Sequence, residues 1–157
     1  MARVITAPSP LTLGPHDRSV FLAGSIDMGR AEPWQSEMEA ALQGLDVVVL
    51  NPRRGDWDAS WSQTIDDPQF RAQVEWELAA QESATVILMY FAPATKAPIT
   101  LLELGLFANS RRLVVCCPDG FWRKGNVEIV CARYGVEMVA DLPALATRAR
   151  ELLAGRP

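Results

Sequence analysis

Short runs of consecutive apolar residues alternate along the chain with stretches whose apolar positions recur every three or four residues. The runs at residues 19–23, 46–50, 84–90, 112–117 and 136–139 predict five β-strands. Between them, helical patterns cover about 32–43, 68–81, 98–109 and 126–134, and a closing helix covers 142–154. Pro33, Pro68 and Pro98 each stand where a first helical turn tolerates proline. The strands read as unbroken Val, Leu and Ile rather than as polar–apolar alternation, which predicts a sheet covered on both faces. Strand–helix alternation of this kind makes a doubly wound five-stranded parallel sheet in a single α/β domain. Residues 1–17 hold three prolines and a glycine and predict an extended arm ahead of a domain at 18–157. Ligands of such sheets bind beyond the carboxyl ends of the strands, so the segments after residues 23, 50, 90 and 117 are where chemistry is expected.

The composition narrows the field. At 157 residues the chain fits one domain, with 49% hydrophobic and 22% charged residues. A net charge of −4 argues against polymeric nucleic acid as a partner and leaves small nucleosides or bases open. No apolar run approaches the roughly 18 residues of a membrane span, and the N-terminal residues lack signal-peptide order. Three cysteines, two of them adjacent at Cys116 and Cys117, offer neither a disulfide framework nor metal-ligand spacing. They read as small core residues of a protein in reducing cytoplasm. The one histidine, His16, lies in the proline-rich leader, so acid–base work falls to carboxylates. No G-x-x-x-x-G-K-[ST], G-x-G-x-x-G or G-x-S-x-G pattern occurs, which sets aside the usual phosphate cradles and the nucleophile elbow. No cofactor and no metal is expected.

Two carboxylates stand in the wrong places. In residues 97–110, A-P-I-T-L-L-E-L-G-L-F-A-N-S, Glu103 is the only charge in a helix apolar all round, a pattern that predicts a buried helix. Burying a carboxylate is costly unless it is paired or hydrogen-bonded, and a helix that only packed would carry Leu, Ala or Met there. In F-R-A-Q-V-E-W-E-L-A-A-Q, helical phase sets Phe70, Val74 and Leu78 on one stripe with Glu77, while Glu75 and Glu82 fall on the wet side. One carboxylate to attack or stabilise an oxocarbenium-like sugar carbon, and another to protonate the leaving group, is the equipment of glycosidic-bond chemistry. A glutamate serving a structural arginine is the plainer alternative for Glu103, and a helix-edge residue reaching water is the plainer one for Glu77.

Taken in order, F-L-A-G-S-I after the first strand, N-P-R-R after the second, F-x-x-Q-V-x-W-E in the following helix and P-I-T-L-L-E-L-G cover roughly residues 18–135. Together they resemble the nucleoside 2-deoxyribosyltransferases, most closely the deoxyribosyltransferase-like subgroup. The resemblance implies a flavodoxin-like fold and a two-step exchange. Glu103 attacks C1′ of a 2′-deoxynucleoside and releases the base, and a second base then takes the sugar with retention. Glu77 matches the acidic residue that protonates and holds the base. Gly24 and Ser25 would line the sugar and base cavity, with Phe70 beside it, and Asn51 and Arg53 would reach the base edge. The resemblance also implies a homo-oligomer, a dimer or higher, with shared active sites, and Asn126 is the candidate residue contributed by a neighbour. Well-studied members of that family end in a tyrosine that helps to orient the nucleophile. This chain ends Ala-Gly-Arg-Pro, which leaves Tyr90 or Tyr134 as substitutes.

Of the other aromatics, Trp57 and Trp61 in the 51–67 loop would either form a lid over the base or anchor the loop, and Trp34 and Trp76 read as packing residues. Arg53 and Arg54 would bind a phosphate or pair with Asp56 and Asp58. Two readings compete with base exchange. One is hydrolysis by the same Glu103 with water as acceptor, on a nucleoside or a deoxynucleoside 5′-monophosphate. The other is a non-catalytic nucleotide-sensing module, whose mark would be Glu103 tied into a permanent salt bridge with no open cavity beside it.

Overall fold

The computed structural model describes residues 1–26, 32–55 and 60–154. Trp57, Asp56, Asp58 and the last three residues lie outside the described residues. The elements run β1 (Arg3–Thr6), β2 (Ser19–Gly24), α1 (Trp34–Leu42), β3 (Val48–Asn51), α2 (Pro68–Ser83), β4 (Val86–Tyr90), α3 (Pro98–Phe107), a 3-10 turn (Ala108–Ser110), β5 (Leu113–Cys116), α4 (Lys124–Tyr134), β6 (Glu137–Val139) and α5 (Leu142–Leu153). One parallel sheet holds all six strands in the order β1-β3-β2-β4-β5-β6.

The parallel, doubly wound reading holds, with one strand more than the five expected. The addition is β1, drawn from the segment read as an extended arm, and it pairs Arg3 with Val48 through to Thr6 with Asn51. Four residues at a sheet edge, followed by Pro8 and Pro10, carry too little periodicity to announce a strand. The rest of that segment is tied down by Arg3, which donates to Asp17 at 2.9 Å, and by Trp76, whose indole N–H donates to the Ser9 carbonyl at 2.8 Å.

Successive side chains of each strand go to opposite faces, and two cores result. Phe21, Ala23, Leu50, Ile87, Met89 and Val115 pack under Trp76 and Ala80 of α2, Leu104 of α3 and Val127 and Cys131 of α4. Val20, Leu22, Val49, Leu88 and Cys116 pack under Trp34, Met38 and Leu42 of α1 and Leu145, Ala149 and Leu153 of α5. Trp34 and Trp76 are packing residues, as read. The cysteines are free and buried. Among the described residues no helix is long and apolar enough to cross a membrane.

Local chemistry sets the helix starts. Asp67 accepts from the N–H groups of Gln69 and Phe70 with Pro68 next to it, and Asp141 accepts from Ala144. The chain leaves β2 toward β3 and leaves β4 toward β5, so the switch point lies where Gly24 pairs with Tyr90.

Candidate active site

The flank of α2 that turns toward α3 carries Gln73, Glu77 and Gln81, each one turn from the next. Gln73 is buried; its amide N–H donates to the Pro52 carbonyl at 3.1 Å and to Glu77 Oε1 at 3.0 Å. Gln81 is buried and donates through a short hydrogen bond to Glu103 Oε2 and at 3.2 Å to the Glu77 carbonyl. Glu103 comes from α3, five residues and so roughly 7.5 Å below its start, and is 7% exposed. Two helices thus bring Glu77 and Glu103 to one seam.

Neither carboxyl is in its ordinary range. Desolvation pushes Glu77 up to about 7, against the opposing pull of the Gln73 hydrogen bond. Desolvation first, then the charge of Glu77, pushes Glu103 up to about 8, with the Gln81 hydrogen bond working the other way. Two carboxyls that interact in this way lose their protons in steps that belong to the pair. Near neutral pH the pair therefore retains a proton, held more tightly by Glu103 than by Glu77. Among the described residues Glu103 has an amide partner and no cation, so the salt bridge that would mark a structural glutamate is not formed there.

The phase of α2 differs from the one read from sequence. Its buried positions are Gln73, Trp76, Ala80 and Gln81, while Phe70, Val74, Leu78 and Glu77 keep intermediate exposure. The bulk of Trp76, packed against Phe21 at 6.5 Å between ring centroids, turns the helix that way. Glu75 and Glu82 face water, as expected.

The reading of α3 as buried all round fails. Thr100, Glu103 and Leu104 face inward, but Ile99, Leu102 and Leu106 are 57%, 60% and 55% exposed. The helix lies in an outer layer with only one side against protein, so its second apolar side is left open. The helix's one charge thus stands on the covered side beside Leu104, while three large apolar residues stand on the wet side.

The remaining candidates divide between the two faces of the sheet. Gly24 sits where a Cβ would lie 2.5 Å from the Trp34 ring and 2.5 Å from the Tyr90 carbonyl, so packing alone requires glycine. The buried Ser25 hydroxyl contacts Thr95 Oγ1 at 2.7 Å and accepts from the Ala92 N–H at 2.9 Å, tying the loop after β2 to the loop after β4. Asn51 donates to Glu39 at 2.6 Å, and Arg53 donates to Gln35 at 3.1 Å and to the Glu32 carbonyl at 2.8 Å, all toward α1. Tyr90 also faces that side and donates to Glu32 at 2.5 Å. Tyr134 lines a cleft with Thr85, Arg112 and Leu113 at the amino ends of β4 and β5. Neither tyrosine is placed to orient Glu103. Asn126 lies in the first turn of α4 and lines a groove of about 310 Å³ with Leu101, Leu104 and Gly105. That groove is on the α4 side of α3, whereas Glu103 turns to α2.

The structure adds Gln73 and Gln81, which sequence reasoning missed although each stands four residues from Glu77. It also separates the two arginines. Arg54, not Arg53, approaches the carboxyl seam, 3.4 Å from Gln73 Oε1, with its guanidinium 4.8 Å over the Trp61 ring. No cluster of three metal-ligating side chains occurs among the described residues.

A family model described as nucleoside 2-deoxyribosyltransferase like matches residues 17–121, the stretch that carries β2 through β5 and both glutamates. The chain belongs to that family. A comparison with curated proteins finds no match. The matched span contains Gly24, Ser25, Asn51, Arg53, Phe70, Glu77 and Glu103, and it stops before Asn126. Membership covers the fold and the helices that meet at the seam, and it shows the protein to be transferase-like.

Proposed function

We propose that this protein is a nucleoside 2-deoxyribosyltransferase that works through a covalent deoxyribosyl–Glu103 intermediate. A Glu103 oxygen bonds to C1′ as the C1′–N bond breaks, and the bonding pair leaves with the base, which takes a proton from Glu77. The nitrogen of a second base then attacks C1′ and gives its proton back to Glu77, Glu103 departs as carboxylate, and two displacements give retention. The observation that carries this reading is the desolvated seam shared by Glu77 and Glu103, where an amide rather than an ion pair holds each carboxyl among the described residues. Desolvation favours the neutral carboxyl at both sites and most at Glu103, so the proposed reaction needs the shared proton to sit on Glu77 once a nucleoside is bound, leaving Glu103 as the anion. Gly24, Ser25, Asn51, Arg53 and Phe70 sit near the carboxyl edge of the sheet, where a nucleoside would enter, and Asn126 is proposed to serve a neighbouring subunit's site. Three buried free thiols favour a reducing, cytoplasmic setting in nucleoside salvage.

A second reading, hydrolysis of a deoxynucleoside 5′-monophosphate, is favoured by one observation. Arg54 reaches Gln73, which itself holds Glu77, so a guanidinium of the kind that binds phosphate stands next to the carboxyl seam. The deciding experiment is incubation with each of the four 2′-deoxynucleosides and their 5′-monophosphates, with and without a second free base, followed by chromatography. Exchange supports the transferase. Release of free sugar or sugar phosphate whether or not a base is added supports the hydrolase, and no turnover favours the sensing module.

A further inference from the structure

Gln81 has no exposed surface and stands one turn from the carboxyl end of α2. Its amide nitrogen has two partners, the Glu103 carboxylate and the main-chain carbonyl of Glu77. The Glu77 main-chain carbonyl can only accept, so the nitrogen rather than the oxygen of the amide must face it, and the same nitrogen meets Glu103. The amide oxygen at the other end is buried and meets no donor among the described residues. An orphaned buried acceptor is unfavourable, and a position kept for packing would hold Leu or Met. The backbone of that turn is held as well, because Arg112 Nη1 donates to the carbonyls of Gln81 at 2.8 Å and Ala84 at 2.6 Å.

We infer that Gln81 is a positioning residue that fixes the Glu103 carboxylate by one oxygen and leaves the other to attack the sugar. The inference rests on the transferase reading above. Holding Oε2 confines the carboxylate to one rotation, so that Oε1 is presented to C1′ along a fixed line. When the Oε1–C1′ bond forms, the base leaves with the C1′–N pair, and Oε2 becomes the ester carbonyl oxygen, still accepting from Gln81. The same bond serves both displacements. Among the described residues the charged groups at this pair are Glu77, beside Glu103, and Arg112, which engages the backbone of Gln81 rather than its amide.

The test compares wild type with Gln81→Met and Gln81→Leu, two apolar replacements of similar length, so that one folded variant suffices. Thermal melting establishes folding. The δ-carbons of ¹³C-labelled glutamates are titrated by NMR, and the Glu103 signal is assigned by its loss in Glu103→Gln. Steady-state kinetics use the four 2′-deoxynucleosides as donors and adenine or cytosine as acceptor. Removing a donor from the ionised form should move the Glu103 midpoint above its starting value of about 8. With that move, kcat should fall about ten- to a hundredfold at little-changed KM. An unmoved midpoint, or an unchanged kcat in a folded variant, overturns the positioning role, and active wild type in the same assays leaves the transferase reading standing. If wild type turns over no donor, the transferase reading fails, and the role as positioner of a nucleophile falls with it. A shifted midpoint would in that case show that the failure lies with the reaction and not with the Gln81–Glu103 bond.

Discussion

The carboxyls of Glu77 on α2 and Glu103 on α3 occupy one seam. Burial and then the charge of Glu77 hold the Glu103 proton to higher pH than an ordinary glutamate would. Catalysis by the pair needs one proton: none leaves no acid for the departing base, and two leave no nucleophile. The pH profile of kcat should therefore be bell-shaped around neutrality, falling on the acid side as the second proton binds and on the alkaline side as the last one leaves. Glu77→Gln should lower kcat by about 10²–10⁴-fold and alter the profile by removing one of its two steps. A flat profile from pH 5 to 9 in wild type would contradict the pairing.

The same shifts govern stability. Both folded-state pKa values lie above the unfolded value near 4.5, so between about 4.5 and 8 the folded protein binds more protons than the unfolded chain. Stability from this source is complete below about 4.5 and is lost as pH rises through 7 to 8. The melting temperature should accordingly fall by several degrees between pH 5 and pH 8, and the fall should be shallower in Glu103→Gln. Calorimetry across that range checks both slopes.

Gly24 is constrained by packing before any ligand is considered. In Gly24→Ala the new methyl meets the Trp34 ring and the rigid Tyr90 carbonyl, each 2.5 Å away. Relief requires a backbone shift, with a cost of about 1–3 kcal/mol. The expected result is a drop of several degrees in Tm, and an unchanged Tm would show that the loop yields freely.

The sheet was legible in the sequence because its central strands are unbroken apolar runs, and Glu103 was legible because it is the only charge in its helix. β1 was not, since four edge residues before two prolines carry no period. The exposure of α3 was hidden for a different reason. An apolar-all-round helix reads the same whether its outer side meets its own chain or is left open, and only the structure shows Ile99, Leu102 and Leu106 uncovered. Gln73 and Gln81 escaped notice because neutral amides are ordinary on helices, and only their contacts with Glu77 and Glu103 give them meaning. The Ser25–Thr95 contact joins residues 70 apart, beyond the reach of any local pattern.

That open stripe bears on assembly. Ile99, Leu102 and Leu106, with Ile129 of α4 at 70% exposure, make an apolar surface of the kind subunits cover. The proposed homo-oligomer should sediment as a dimer or larger at micromolar concentration. Leu102→Glu should shift it toward monomer without unfolding it, since Leu102 faces outward. A wild-type monomer would count against shared active sites.

The most direct measurement follows the covalent bond itself. A 2′-fluorinated deoxynucleoside slows both displacements, the second enough for the intermediate to accumulate, and mass spectrometry of the digested protein then locates the sugar. The account predicts an adduct on the peptide containing Glu103, none in Glu103→Ala, and a loss of turnover in that folded variant by several orders of magnitude. An adduct on any other residue, or Glu103→Ala turning over at the wild-type rate, would contradict it.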